Sequence, residues 1–214
     1  MANKVSRLQY ITQDHPKYSH EEQVKLVASS GCDWIQLRMK DVPESLYLAT
    51  AKNCVSIAHE YGAKLIINDN ITVAQESGAD GIHLGLTDLP TSDARKIFGK
   101  DFIIGGTANE LEDVIYHQPY CDYVGVGPYQ FTSTKKNLSP VLGAGGFKEL
   151  SDELIKRKIS IPLIAIGGIG FIDTAFIAPT GVYGIAVSGG IINAEDVPLE
   201  IKKFNAAIVS GWSL

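Results

Sequence analysis

Three short stretches hold residues whose types and spacing suit phosphate chemistry. In "QLRMK", residues 36–40, the side chains of Gln36, Arg38 and Lys40 alternate. On an extended strand that spacing sends all three to one side. A guanidinium offers a fork of donors and an ammonium a point charge, which suits a phosphate or diphosphate. The plainer reading is a strand end tied to neighbouring carboxylates. In "INDN", Asn68 and Asp69 stand where an apolar run stops, and "HLGLTD" ends on Asp88. Two carboxylates beside a cationic face suit Mg2+, which takes one or two carboxylates, several waters and substrate phosphates. Asp88 equally suits the start of the helix that "LPTSDARK" opens. His83 lies inside its apolar run and reads first as a hydrogen-bonded core residue.

A fourth stretch, "VGVGPYQFTSTKKN" (124–137), breaks from an apolar run into Thr132, Ser133, Thr134, Lys135 and Lys136. Alone it reads as a solvated loop. Two glycine-rich runs, "AIGGIG" and "AVSGG", each end an apolar stretch before a helical one. Backbone N–H groups at such turns bind phosphate.

These residues need elements to hold them. Eight β-rich apolar runs recur: "LQYIT" (8–12), "WIQLR" (34–38), "KLIIN" (64–68), "GIHLG" (81–85), "FIIGG" (102–106), "YVGVG" (123–127), "PLIAIGG" (162–168) and "GIAVSGG" (184–190). Helical segments lie between them. "HEEQVKLVASSG" places Val24, Leu26 and Val27 on one stripe, and the stretch ending at Gly62 places Leu46, Ala49, Val55 and Ala58 near helical spacing. Strand alternating with helix implies parallel strands with helical crossovers. Eight units in 214 residues predict a single-domain α/β protein, a closed (β/α)8 TIM barrel over residues 1–214. An open doubly wound sheet fits less well, since no GxGxxG follows the first strand. The sixth-to-seventh strand interval is about forty residues, against about twenty to thirty elsewhere. Its extra length holds the hydroxyl–lysine cluster, and loops after barrel strands line the active-site mouth.

The formal net charge of -5 argues against nucleic acid or an anionic membrane as the main partner. Any anion site must then be local. No apolar stretch is long enough for a membrane span, and the first residues lack the apolar core of a signal peptide. Cys32, Cys54 and Cys121 form no metal pattern and point to a reducing cytoplasm. The oligomeric state, homo-oligomer included, is open.

Taken in order, "QLRMK", "IINDN", "GIHLGLTDLP", "IGGTAN", "DYVGVGPYQFTSTKKN", "IPLIAIGGI" and "GIAVSGGI" resemble the thiamine phosphate synthase (thiamine-phosphate pyrophosphorylase) family, over about residues 8–196. The resemblance implies a transferase of thiamine biosynthesis. It would join hydroxymethylpyrimidine diphosphate to hydroxyethylthiazole phosphate and release diphosphate. It also implies roles. Gln36, Arg38, Lys40 and Asn68 would contact the pyrimidine diphosphate, with Lys135 closing over it from a phosphate-binding flap at about 128–147. Arg38, Lys40 and Lys135 would be the catalytic charges. Asp69 and Asp88 would hold Mg2+. Thr107 would stand near the pyrimidine in place of the family's usual serine. Thr132 and Thr134 would bind the thiazole phosphate, with Gly168 and the backbone at Val187 and Ser188.

Some positions depart from the family's pattern. Met39 replaces a usual Glu, and alternation points it away from its neighbours. Phe131 stands where proline is usual. Asn109 occupies a position that is often His. A sister family with the same barrel isomerises the thiazole phosphate and uses that histidine as acid–base; Asn cannot do so at neutral pH. A tautomerase-like barrel and a non-catalytic phosphate-binding regulatory barrel are the alternatives. Neither calls for Asp69, Asp88 and a flap lysine together.

Overall fold

The computed structural model describes residues 5–131 and 140–211. Eight parallel strands close in sequence order: β1 (Leu8–Ile11), β2 (Trp34–Leu37), β3 (Lys64–Asn68), β4 (Gly81–Leu84), β5 (Ile103–Ala108), β6 (Tyr123–Val126), β7 (Leu163–Ile166) and β8 (Gly184–Val187). β1 pairs with both β2 and β8, Tyr10 lying opposite Ile35 and Val187. The barrel therefore has no free edge. Every run read as a strand is one.

The helices are α1 (His20–Ser29), α2 (Glu44–Glu60), α3 (Ile71–Glu76), α4 (Thr91–Phe98), α5 (Leu111–His117), α6 (Gly143–Lys156), α7 (Thr174–Ile177), α8 (Gly189–Ile192) and α9 (Val197–Gly211). α1 starts at a capping box: Glu22 N–H donates to Ser19 Oγ and Ser19 N–H to Glu22 Oε2. α2 buries Tyr47, Thr50, Ala51, Cys54, Val55 and Ala58. The stripe expected from spacing is thus rotated. Val55 and Ala58 face the barrel, while Leu46 and Ala49 face solvent, because Tyr47 and Thr50 take the inner positions.

Apolar packing forms two layers. The larger lies between strands and helices and contains Tyr10, Ile35, Leu37, Leu65, Ile67, Ile82 and Phe204. The smaller fills the barrel's lower interior with Ile11, Trp34, Ile66, Ile103, Tyr123, Ile164 and Ala186. Tyr123 meets Trp34 edge-on at 4.8 Å, and its phenol occupies the space a side chain at Gly105 would need. Met39 packs into the outer layer, as alternation predicts.

The long β6–β7 connection includes α6, whose first turn begins at Gly143. Its two feet are tied down. Tyr129 N–H donates to Ile166 O and Gln130 N–H to Gly167 O, while Leu142 N–H donates to Pro128 O and Gly143 N–H to Tyr129 O. Tyr129 stacks on Phe147. No helix among the described residues is long and apolar enough to cross a membrane. The three cysteines are free, and burial pushes the thiols of Cys32 and Cys121 up to about 12.

Candidate active site at the C-terminal rim

The site is built where strands end. Tyr47, buried on α2, donates its hydroxyl proton to Leu37 O at 2.8 Å and accepts Asn68 N–H at 3.2 Å. One phenol thus pins the ends of β2 and β3 together, and so sets where Arg38 and Asn68 emerge. Arg38 N–H donates to Thr12 Oγ1 at 3.0 Å, which ties the same strand end to β1. Gln36 is buried, Arg38 half-buried and Lys40 exposed, so the three climb from the interior to the mouth.

Lys40 Nζ is ion-paired with Asp69 Oδ2. The plainer reading of the cationic strand end therefore holds for Lys40. Asp69 has a left-handed φ of 65°, uncommon for a residue with a side chain, and its N–H is held by His83 O at 2.9 Å. Asp88 caps no helix: α4 begins at Thr91 behind Pro90. Instead its Oδ2 accepts Gly85 N–H at 2.7 Å, folding the β4–α4 loop back on itself. A Cβ at Gly85 would crowd that carboxylate.

Burial raises the Asp88 carboxyl above the usual carboxylate range. Asp69, in hydrogen-bonding contact with it, raises it further, while the Gly85 N–H and then Lys40 oppose both. Among the described residues no group of three or more His, Cys, Asp or Glu could hold a metal unaided. Two crowded carboxylates open to the mouth nonetheless fit a divalent cation completed by water and phosphate oxygens. The donor set is hard oxygen, suited to Mg2+ rather than to a soft-ligand metal.

Thr107, half-buried on β5, is held from both sides. His83 Nε2 lies 3.0 Å from its Oγ1 within the barrel, and His117 Nε2 lies 3.0 Å from its carbonyl outside. His117 Nδ1 lies 3.0 Å from Thr91 Oγ1. Burial lowers the His117 pKa, which favours the neutral ring.

Across the rim, Gly167 and Gly168 take φ of 104° and 70° as the chain leaves β7. Gly168 passes so close to Gln130 and Phe131 that a side chain there would collide with them. Gln130 Nε2 donates to Gly168 O at 2.5 Å and to Asp173 Oδ2 at 3.2 Å. Gly170 N–H already donates to Asp173 Oδ2, so not every amide of this turn is open. Val187 ends β8. Ser188 follows and donates its hydroxyl to Gln13 Oε1, while the amides of Gly189 and Gly190 open α8.

The structure therefore gathers Gln36, Arg38, Lys40, Asn68, Asp69, Asp88 and Thr107 on the β2–β5 side, and Gly168, Val187 and Ser188 on the β7–β8 side. Thr132, Thr134 and Lys135 lie outside the described residues. Spacing alone did not point to Gln9, Gln13, Tyr47 or Tyr123 as supports. Polar side chains inside apolar strands, Gln9 beside Gln36 and Tyr123 below Gly125, were the available signal.

A closed eight-stranded barrel with its polar residues at the C-terminal rim belongs to the (β/α)8 class of enzymes. Within that class, this chain belongs to the thiamine monophosphate synthase family, whose model matches residues 8–191. It is a transferase. The thiamine-phosphate synthase of Phocaeicola vulgatus is 42% identical over 204 residues, covering 95% of this chain and 98% of that protein. That of Flavobacterium johnsoniae is 42% identical over 201 residues, covering 94% and 95%. The solved thiamine phosphate pyrophosphorylase of Pyrococcus furiosus superposes with a TM-score of 0.84 at 28% identity, covering 97% of each chain.

Proposed function

We propose that this chain condenses hydroxymethylpyrimidine diphosphate with hydroxyethylthiazole phosphate, in a Mg2+-dependent reaction, giving thiamine phosphate and diphosphate. One observation carries the reading beyond family membership: Lys40, Asp69 and Asp88 converge on one side of the rim, just beyond the strand end that Arg38 follows, with the Lys40–Asp69 pair at their centre. Departure of diphosphate leaves a pyrimidinylmethyl cation, which the ring's own amino group stabilises. The protein needs no nucleophile. It must neutralise the leaving group and align the thiazole nitrogen with the carbon.

Arg38 and Lys40 serve the first task, and Lys135 joins them from the flap at about 128–147. Bound Mg2+ on Asp69 and Asp88 would add charge neutralisation to the diphosphate oxygens. Lys40, paired with Asp69, exchanges that carboxylate for a substrate phosphate. Gln36 and Asn68 orient the pyrimidine, and Thr107 meets its ring. Gly168, the backbone at Val187 and Ser188, and Thr132 and Thr134 anchor the thiazole phosphate and so supply alignment. Asn109 supports the synthase over a tautomerase: its backbone N–H donates to Asp113 Oδ2, and its side-chain carboxamide does not gain or lose a proton near pH 7, so it cannot serve as acid–base.

The test is direct. Both substrates are mixed with the protein and Mg2+, and products are followed by diphosphate release and by oxidation of thiamine phosphate to a fluorescent thiochrome. Equimolar thiamine phosphate and diphosphate are expected. Turnover of the thiazole carboxylate phosphate, with no coupled product, would replace the synthase by the tautomerase.

A further inference from the structure

A connected file of buried polar groups crosses the barrel interior below the rim. Gln36 Nε2 donates to Gln9 Oε1 at 3.4 Å, and Gln9 Nε2 donates to the Tyr123 hydroxyl at 3.3 Å. The Tyr123 oxygen lies 3.1 Å from His83 Nδ1, and His83 Nε2 lies 3.0 Å from Thr107 Oγ1. All but Thr107 are more than nine-tenths buried. The file runs from one residue assigned to the pyrimidine, Gln36, to another, Thr107.

The file has a sense. The Tyr123 oxygen accepts hydrogen bonds from Gln9 and Gln36, so its own O–H turns to His83 Nδ1. Burial pushes the phenol pKa up, so that proton stays on oxygen. Nδ1 is then an acceptor, and a neutral ring carries its proton on Nε2. Nε2–H donates to Thr107 Oγ1, which leaves the threonine's own hydroxyl proton for another acceptor. At the other end, Gln36 keeps Oε1 as an acceptor. The rings cannot easily rotate out of this order. His83 stacks on Tyr123 at 5.5 Å, Trp34 closes the far side of Tyr123, and a side chain at Gly125 would crowd His83.

We propose that His83, oriented by Tyr123 and Gln9, is a positioning residue that fixes Thr107 as a hydrogen-bond donor and Gln36 as an acceptor. The ligand this selects is a heterocycle with an acceptor ring nitrogen and a donor amine. The inference rests on the synthase reading for the identity of that heterocycle, but the proton order is a property of the protein alone.

Two measurements test it separately. The first is a long-range 15N–1H correlation spectrum of histidine-labelled protein, with His83 assigned through His83→Gln. A neutral ring protonated on Nε2 is expected, with a mixed tautomer in Tyr123→Phe. A proton on Nδ1 would mean the file runs the other way and would overturn the proposal. The second is kinetic. His83→Ala and Thr107→Val should each raise the KM for the pyrimidine diphosphate about tenfold, the scale of one directed hydrogen bond. The KM for the thiazole phosphate should stay within about twofold, and the double variant should be no worse than Thr107→Val. His83→Gln, which keeps a donor, should recover part of the loss. Additive losses, or equal rises in both KM values, would reduce His83 to a packing residue. Absence of any coupled product alongside the Nε2 tautomer would count against the synthase reading and leave the proton order standing.

Discussion

Lys40 and Asp69, delivered by the ends of adjacent strands, are ion-paired at the mouth of the barrel. The pair neutralises a cation and a carboxylate that the proposed chemistry uses separately. Removing either partner therefore does two things: it deletes one contact and leaves the other charge uncompensated. Asp69→Asn should lower kcat by about 10²–10³-fold, by analogy with loss of one preorganised charge contact. Asp88→Asn should do the same, and EDTA should abolish turnover until Mg2+ is restored. Full turnover in metal-free buffer would remove Asp69 and Asp88 from the metal assignment.

Tyr47 is a support at a distance from the chemistry. Its hydroxyl satisfies Leu37 O and Asn68 N–H, both buried. Tyr47→Phe keeps the ring in the core and strands those two groups. A loss of about 1–3 kcal/mol in denaturant unfolding is expected. Catalysis should also suffer, with a higher KM for the pyrimidine diphosphate, because Arg38 and Asn68 emerge from the ends Tyr47 holds. Unchanged unfolding and kinetics would show that strand pairing alone sets those positions.

The sequence made the barrel legible because each unit carries two signals at once: a short apolar run and a following amphipathic stretch. Leu46 and Ala49 show the limit. Apolar spacing alone put them inward, but α2 instead turns Tyr47 and Thr50 to the barrel, where the Tyr47 hydroxyl meets Leu37 O and Asn68 N–H. The rim was legible at Arg38, Lys40, Asp69 and Asp88, because charges at strand ends stand out against apolar runs. The file behind them was not. Gln9, Tyr123 and His83 come from β1, β6 and β4, and only closure of the barrel brings them into contact.

His117 predicts a pH dependence of stability. It is 3% exposed, and burial lowers its pKa below the ordinary 6.5. The unfolded chain then binds a proton before the folded one does. Stability should be full above about pH 6.5 and fall as pH drops towards the lower folded value. His20, also lowered by burial, acts in the same sense, so the variant isolates the contribution. In His117→Gln the slope of melting temperature between pH 7 and pH 5 should be shallower than in the parent. Equal slopes would place the titration elsewhere.

The β6–β7 connection, proposed as a phosphate-binding flap, supplies the last prediction. Its feet are fixed by four backbone hydrogen bonds, from Tyr129, Gln130, Leu142 and Gly143, and by Tyr129 stacking on Phe147. Those contacts hold Gln130 and Phe131 beside Gly168 and the β7 turn; Thr132, Thr134 and Lys135 follow them in the sequence. In the proposed role Lys135 meets the negative charge that develops on the leaving diphosphate, so it would act mainly on the transition state. A threonine hydroxyl on the thiazole phosphate acts on a group that does not react. Lys135→Ala should therefore lower kcat by about 10²–10³-fold. Thr132→Ala should mainly raise the KM for the thiazole phosphate, with kcat within a few-fold of the parent. The two variants separate in a single set of initial-rate measurements with each substrate varied in turn. Near-normal kinetics for Lys135→Ala would reduce the hydroxyl–lysine cluster to a solvated loop.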